Sequence, residues 1–211
     1  MGVCHLVGAG DFQRSFTRSA SDIIIAADGG YDSLLKFGIT PDVLIGDFDS
    51  INADIPTDID TVKLPKEKDE TDMFLAYLEG VKRGYSEFVM LGATGGRLDH
   101  TFANLSLLLY ARERGHRVRI VDGQSEIICI KNEAVELKGN VGDTLSVFAF
   151  GTQSLGVCIK GAKYEVEGAT LSPSFPLGVS NEFLEGAARI SVDDGALLII
   201  SEYSSYAIDN G

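Results

Sequence analysis

Asp47 and Asp49 stand one residue apart in Gly46-Asp47-Phe48-Asp49-Ser50, directly after the apolar run Val43-Leu44-Ile45. Asp69, Glu70 and Asp72 follow in a second acidic segment, and Asp99 in a third. Carboxylates grouped at strand ends suit the holding of a hard divalent cation against a polyphosphate. In an extended segment residues i and i+2 point the same way, which predicts that Asp47 and Asp49 share one cation. Two bare carboxylates that close repel each other, and a cation removes that penalty. Alone, Asp-x-Asp also occurs in ordinary turns.

The other segments with chemical potential are rich in glycine. Gly92-Ala93-Thr94-Gly95-Gly96-Arg97-Leu98-Asp99-His100 lies between a buried run and a helical pattern. Its glycines leave backbone amides accessible, and Arg97 brings a fork-shaped cation that matches phosphate. Asp99 can hold Arg97 or His100, or cap the helix. Asp28-Gly29-Gly30 follows another apolar run. There it can meet a ligand beyond a strand end, or Asp28 can cap the helix beginning near Tyr31. Gly8-Ala9-Gly10-Asp11-Phe12-Gln13 starts like a dinucleotide fingerprint but lacks its third glycine. It is either a plain loop or one whose amides face a phosphate. Asp69 and Glu70 are explained by the preference of helix N-termini for acids; Asp72 is explained less well.

These segments need strands and helices to position them. Ile23–Ala27, Val43–Ile45 and Phe88–Leu91 are short, apolar and partly β-branched, as fully buried strands are. Met73, Phe74, Tyr77, Leu78 and Val81 mark one face of a helix, with Thr71 as its N-cap and Gly84 as its stop. Phe102, Leu105 and Leu109 mark another, ending at Gly115. This alternation predicts an α/β domain over residues 1–122 with a mainly parallel, Rossmann-like sheet. Beyond Asp122-Gly123-Gln124 the pattern becomes short strands over 126–130, 134–137, 144–150, 156–160, 189–192 and 196–201. It predicts an all-β antiparallel sandwich domain over residues 123–211, with Ser172–Glu182 as a long loop.

The chain has 211 residues, 45% of them hydrophobic, enough for one large or two small cores. Lys plus Arg is 18 and Asp plus Glu is 31, a formal charge of −13, which argues against nucleic acid as a partner. Three widely spaced cysteines fit neither a disulfide framework nor a zinc site, and suit a reducing, cytoplasmic setting. No apolar run approaches the ~18 residues of a membrane span.

The order of Ala27–Gly30, Gly46–Ser50, Asp69–Asp72, Gly92–His100 and Pro176–Glu182 closely resembles the thiamine pyrophosphokinase (thiamine diphosphokinase) family. The resemblance implies a nucleotide domain before a β-sandwich, in a homodimer whose active sites lie between the nucleotide domain of one chain and the sandwich of the other. It implies transfer of the terminal diphosphate of ATP to thiamine, giving thiamine diphosphate and AMP. It assigns Asp47, Asp49 and Asp72 to Mg²⁺, with Asp69 and Thr71 beside them. Asp28, Gly29, Gly95, Gly96 and His100 fall with the nucleotide. Arg97, Asp99 and Asp72 fall at the reacting phosphates, with Asp72 or Asp99 as the proton acceptor. Tyr164, Ser180 and Asn181 fall on the thiamine side, Tyr164 where the family often has tryptophan, which this chain lacks. Two other readings are a metal-dependent sugar-nucleotide transferase using Asp47 and Asp49, and a non-enzymatic nucleotide or thiamine sensor.

Overall fold

A computed structural model describes residues 2–12, 17–49, 51, 54–67 and 69–204. Gln13, Ser50 and Lys68, which belong to segments named above, lie outside them. The chain divides into two compact units, Met1–Leu107 with Gly115–Gly123, and Leu108–Arg114 with Gln124–Gly211.

In the first unit the elements run β1 (Cys4–Val7), β2 (Ile23–Ala27), α1 (Gly30–Leu35), β3 (Val43–Gly46), β4 (Asp60–Lys63), α2 (Asp72–Lys82), β5 (Glu87–Leu91), α3 (Leu98–Arg112, whose last turn falls in the second unit) and β6 (Arg117–Asp122). The strand order is β6-β5-β1-β2-β3-β4, and each neighbouring pair is parallel. All four residues of β1 and of β3 are buried, as parallel strands covered on both faces require. The polar, exposed β4 carries no apolar signal and is absent from the sequence reading. Its charge suits a sheet edge.

Thr71 caps α2 as expected, its hydroxyl accepting the Phe74 N–H at 3.2 Å. The buried face of α2 is Met73, Ala76, Tyr77 and Gly80. A Cβ at Gly80 would lie 2.7 Å from the Phe88 ring, so this glycine sets how closely helix and strand approach. Asp28 does not cap α1: Gly29 occupies the N-cap position with no side-chain bond.

The second unit consists of β7 (Ser125–Lys131), β8 (Ala134–Lys138), β9 (Thr144–Ala149), β10 (Ser154–Lys160), β11 (Val166–Leu171), β12 (Gly178–Glu182), β13 (Ala187–Ser191) and β14 (Ala196–Glu202). They form antiparallel ladders in the orders β12-β9-β14-β7 and β11-β10-β13-β8. One core is filled from both ladders, with Leu145, Val147, Leu197 and Ile199 from the first and Val157, Ile159 and Ile190 from the second. Two strands differ from the sequence reading. β11 is largely exposed, and β12 contains Gly178, Ser180 and Asn181, poor strand formers that hid it inside a supposed loop.

Cys4 and Cys129 are buried and unbridged, and burial pushes both thiols up to about 12, so neither is a nucleophile. Among the described residues, no helix is long and apolar enough to cross a membrane.

Asp22 ties the start of the sheet together. Its carboxylate accepts the N–H groups of Val3 and Ser19, each at 2.8 Å, and lies 3.6 Å from His5 Nε2. Burial pushes its pKa up, but the Val3 and Ser19 donors prevail and hold it at about 2. The folded pKa is below the unfolded value, so this stabilisation is present above pH ~4 and disappears as pH falls from ~4 to ~2. Asp22→Ala is expected to lower stability at pH 7 by on the order of 1–2 kcal/mol. The variant should also lose less on acidification, as followed by urea unfolding between pH 7 and 2. An unchanged acid limb would assign the acid sensitivity to other groups.

Candidate functional site

The site begins where β2 and β3 end. Ala27 pairs with Ile45 in parallel register, and the Asp28 N–H continues the ladder by donating to the Ile45 carbonyl at 2.8 Å. The two chains therefore leave the sheet side by side, and a Cβ at Gly46 would sit 3.1 Å from the Asp28 side chain. Carboxylate oxygens of Asp28, Asp47 and Asp49 lie within 4.8 Å of one another. Asp47 and Asp49 do not meet by strand alternation. Phe48 adopts the left-handed region (φ 66°), and the Asp49 N–H donates to Asp47 Oδ1 at 3.1 Å. The chain turns so as to put both acids together, and Asp28 is left-handed too (φ 45°). Lys66 Nζ contacts Asp49 Oδ2 at 2.6 Å, a bond that raises the lysine pKa. An all-oxygen donor set of this charge fits a hard divalent cation. Asp72, the expected third ligand, is not in this group; Asp28 is.

Asp28 also belongs to the wall of a cavity of about 340 Å³, with Gly29, Asp72, the Gly8–Gly10 loop, the Gly92–Arg97 loop, His100 and Asn104. The two loops are zipped together. Gly8 N–H donates to Leu91 O (2.9 Å), Gly10 N–H to Gly92 O (2.9 Å) and Asp11 N–H to Thr94 O (3.0 Å). A Cβ at Gly10 would meet Thr94 O at 2.1 Å, and one at Gly92 would meet Gly8 O at 2.5 Å. These glycines allow close backbone approach, and the bonded amides of Gly8 and Gly10 do not face a phosphate. Thr94 Oγ1 donates to the Asp122 carboxylate, and Asn104 Nδ2 to the Ala93 carbonyl at 2.7 Å. Gly95 and Gly96 are left-handed at the cavity wall (φ 77° and 58°).

Asp99 holds both the Arg97 side chain and the His100 backbone. Arg97 Nε and Nη2 donate to its two oxygens at 3.1 and 2.6 Å, and the His100 N–H adds a bond at 3.0 Å. The bond from Arg97 keeps the Asp99 carboxyl below its ordinary pKa. Arg97 lines the cavity and Asp99 does not. Thr71 uses its hydroxyl as a helix cap. Asp69 is exposed and lies outside both the carboxylate group and the cavity wall.

In the second unit, Tyr164 is 62% exposed and Asn181 4% exposed. The Asn181 side chain clamps the Tyr164 backbone from both sides: Oδ1 accepts its N–H at 2.9 Å and Nδ2 donates to its carbonyl at 2.8 Å. Ser180 is left-handed (φ 59°), its N–H donating to Ser146 Oγ at 3.1 Å. There β12 gains one residue relative to β9, since Gly178 pairs with Val147 and Asn181 with Leu145.

A family model described as thiamin pyrophosphokinase, catalytic domain, matches residues 16–120, and one described as thiamin pyrophosphokinase, vitamin B1 binding domain, matches residues 127–197. Thiamin pyrophosphokinase 1 of Caenorhabditis elegans is 31% identical over 180 residues, which is 75% of this chain and 70% of that protein. The chain belongs to the thiamin pyrophosphokinase family. Thiamine pyrophosphokinase of Bacillus subtilis (strain 168) is 27% identical over 182 residues, 83% of this chain and 85% of its own. The solved structure of thiamine pyrophosphokinase from Bacillus subtilis shares the fold, with a TM-score of 0.85 at 23% identity, covering 97% of this chain and 100% of that one. Membership makes the chain an enzyme of thiamine diphosphorylation.

Within this thiamin pyrophosphokinase fold, the sequence reading names Asp28 but not its place beside Asp47 and Asp49, and does not single out Lys66 or Asn104. Asp28 was placed with the nucleotide, not with the acids, although parallel neighbours ending together would have suggested it. Lys66 was passed over in a charged run. Asn104 had a clear signal, as a polar residue in the buried series 104, 107, 108 and 111 of α3. The loop packing makes a graded prediction. Gly92→Ala must clash with Gly8 O in addition to adopting φ 57°, whereas Gly96→Ala has φ 58° and open space. Gly96→Ala should cost about 1 kcal/mol and Gly92→Ala clearly more, compared by thermal unfolding. Equal losses would mean that the loops are not held at this distance in solution.

Proposed function

We propose that this chain transfers the terminal diphosphate of ATP to the hydroxyl of thiamine, with Mg²⁺ held by Asp47, Asp49 and Asp28. The observation that carries the proposal is that Asp28 is at once part of the Asp28–Asp47–Asp49 group and part of the glycine-lined cavity wall that also contains Arg97. The first unit serves as a Rossmann-like nucleotide domain, and the second, where the B1-binding model matches, takes thiamine against Tyr164. Magnesium, when bound, supplies neutralisation of phosphate charge.

The chain's own residues do the rest. The thiamine hydroxyl oxygen forms a bond to the β-phosphorus, the bond from that phosphorus to the α–β bridging oxygen breaks, and AMP leaves with that oxygen. Arg97 meets charge on the transferring group with its planar fork. The hydroxyl proton passes to a carboxylate. Asp72, in the cavity wall, suits this better than Asp99, which Arg97 engages and keeps acidic. Gly29, Gly95, Gly96 and His100 border the nucleotide, Thr71 fixes the start of α2, and Asp69 stands outside this set. Assembly as a homodimer with shared sites, and a cytoplasmic location, belong to the same proposal. Their support is the family resemblance and the unbridged cysteines, and a fully active monomer would remove the first. The family match does not favour a sugar-nucleotide transferase or a sensor.

The direct test is to incubate protein, Mg-ATP and thiamine and to assay AMP and thiamine diphosphate. Both should form in equal amounts. Asp47→Asn and Asp49→Asn should abolish turnover while leaving the metal-free protein as stable or more so, because a repulsion has been removed. Near-normal turnover in both variants at modest Mg²⁺ would refute the metal assignment.

A second expectation concerns the vitamin side. A tyrosine face attracts a thiazolium cation by on the order of 0.5–2 kcal/mol. Tyr164→Ala should raise the KM for thiamine by up to about thirtyfold and leave that for ATP unchanged. Asn181→Ala should follow it in part, since Asn181 acts by holding the Tyr164 backbone. An unaltered thiamine KM in Tyr164→Ala would reduce Tyr164 to a surface residue.

A further inference from the structure

Asn104 is 7% exposed and lines the cavity of the first unit. Its Nδ2 donates to the Ala93 carbonyl at 2.7 Å. A carbonyl oxygen only accepts, so chemistry fixes which end of the amide points there. Oδ1 is therefore turned away from Ala93, and among the described residues it accepts no hydrogen bond. Oδ1 is not among the buried polar atoms that lack a partner, so it is open to the solvent of the cavity that Asn104 lines, where a bound group can replace water. Leucine or alanine, as at Leu107, Leu108 and Ala111 on the same face, would serve packing alone.

An oxygen in this position selects the chemistry of what meets it. Ionised phosphates carry only acceptors and would repel it. The matching group either bears hydrogen, as a hydroxyl or an amine, or is a hard cation, for which Asp28, Asp47 and Asp49 form the oxygen group and Asn104 does not belong to it. In the ATP of the proposed reaction, hydrogen-bearing groups occur only on the nucleoside, as the ribose hydroxyls and the 6-amino group of the base. We infer that Asn104 is a specificity-determining residue whose Oδ1 accepts a hydrogen bond from the nucleoside of ATP. The inference rests on ATP being the nucleotide substrate. The Ala93 bond gives the residue two tasks: it orients the glycine-rich loop and is itself oriented by it.

The test is equilibrium binding of Mg-nucleotide without thiamine, so that thiamine's own amino and hydroxyl groups play no part. ATP is compared with 2′-deoxy-ATP, 3′-deoxy-ATP and purine riboside 5′-triphosphate, each lacking one donor. The wild type should bind one of the three about tenfold more weakly than ATP. Asn104→Ala should bind that analogue and ATP alike, a loss of discrimination that a purely structural role would not produce. If the variant does not fold, side-chain amide NMR of the wild type replaces it: the Asn104 signal should shift with ATP and much less with the discriminated analogue. Equal binding of all four nucleotides by the wild type, retained discrimination in Asn104→Ala, or an Asn104 signal indifferent to the missing donor would each overturn the inference. AMP formation with thiamine is followed in parallel. Turnover without discrimination defeats the inference alone, discrimination without turnover defeats the proposed reaction alone, and failure to bind ATP defeats both.

Discussion

Three carboxylates with oxygens inside 4.8 Å of one another are the constraint around which the first unit is organised. At an effective dielectric near 20, each such pair repels by up to about 3–4 kcal/mol, and solvent reduces this where Asp49 is exposed. The backbone must impose the arrangement. The β2–β3 register delivers Asp28 and Asp47 to one place, and the Asp28 N–H bond to Ile45 extends the ladder to the site itself. Two non-glycine residues, Asp28 and Phe48, take left-handed conformations costing on the order of 1–3 kcal/mol each. Phe48 packs against the β1–β3 core, which ties that turn to the hydrophobic interior. The metal-free protein thus stores repulsion and strain in one loop pair, and a divalent cation reverses the sign of the first.

The same division of labour recurs elsewhere: fixed backbone, side chains left to meet ligand. Interlocked glycines and three backbone bonds hold the β1 loop against the Gly92 loop, so the cavity wall forms without apolar filling. In the second unit, a bulge at left-handed Ser180 and the two bonds from Asn181 fix the backbone of Tyr164 while its ring stays exposed. Buried polar residues do the positioning in both units. Asn104 and Asn181 each donate to a loop carbonyl, and Asn181 in addition accepts the N–H of the same residue.

The sequence showed the buried strands and α2 clearly, since β-branched runs and helical periodicity report burial directly. It missed β4, β6, β11 and β12, which are polar, interrupted by charge, exposed or glycine-bearing and owe their pairing to neighbours rather than to their own composition. It placed Asp47 and Asp49 together for the wrong geometric reason: strand alternation was assumed where a left-handed Phe48 makes the turn. Backbone strain has no signature in residue type when the strained residue is phenylalanine. The acidic group's third member was invisible for a different reason. Asp28 and Asp47 are neighbours only once two parallel strands are set in register, and register is a property of the sheet. The double bonding of Asn181 likewise depends on Tyr164, 17 residues away.

A chain of formal charge −13 must still accept a polyanion if it handles ATP. The cations near the acidic site are already paired, Arg97 with Asp99 and Lys66 with Asp49. Both pairs are exposed, with side-chain accessibilities of 74% and 62% for the first and 77% and 49% for the second. Exposed pairs are worth about 0–1 kcal/mol, so a phosphate that takes Arg97 from Asp99 gives up little and gains a fork suited to two of its oxygens. Lys66 stands in the same relation to Asp49: its ammonium occupies a carboxylate that a divalent cation would claim with twice the charge. The surface pairs keep the acidic site partly neutral in the metal-free chain and present only a small barrier to exchange. A buried pairing of the same residues would have made each exchange cost several kcal/mol.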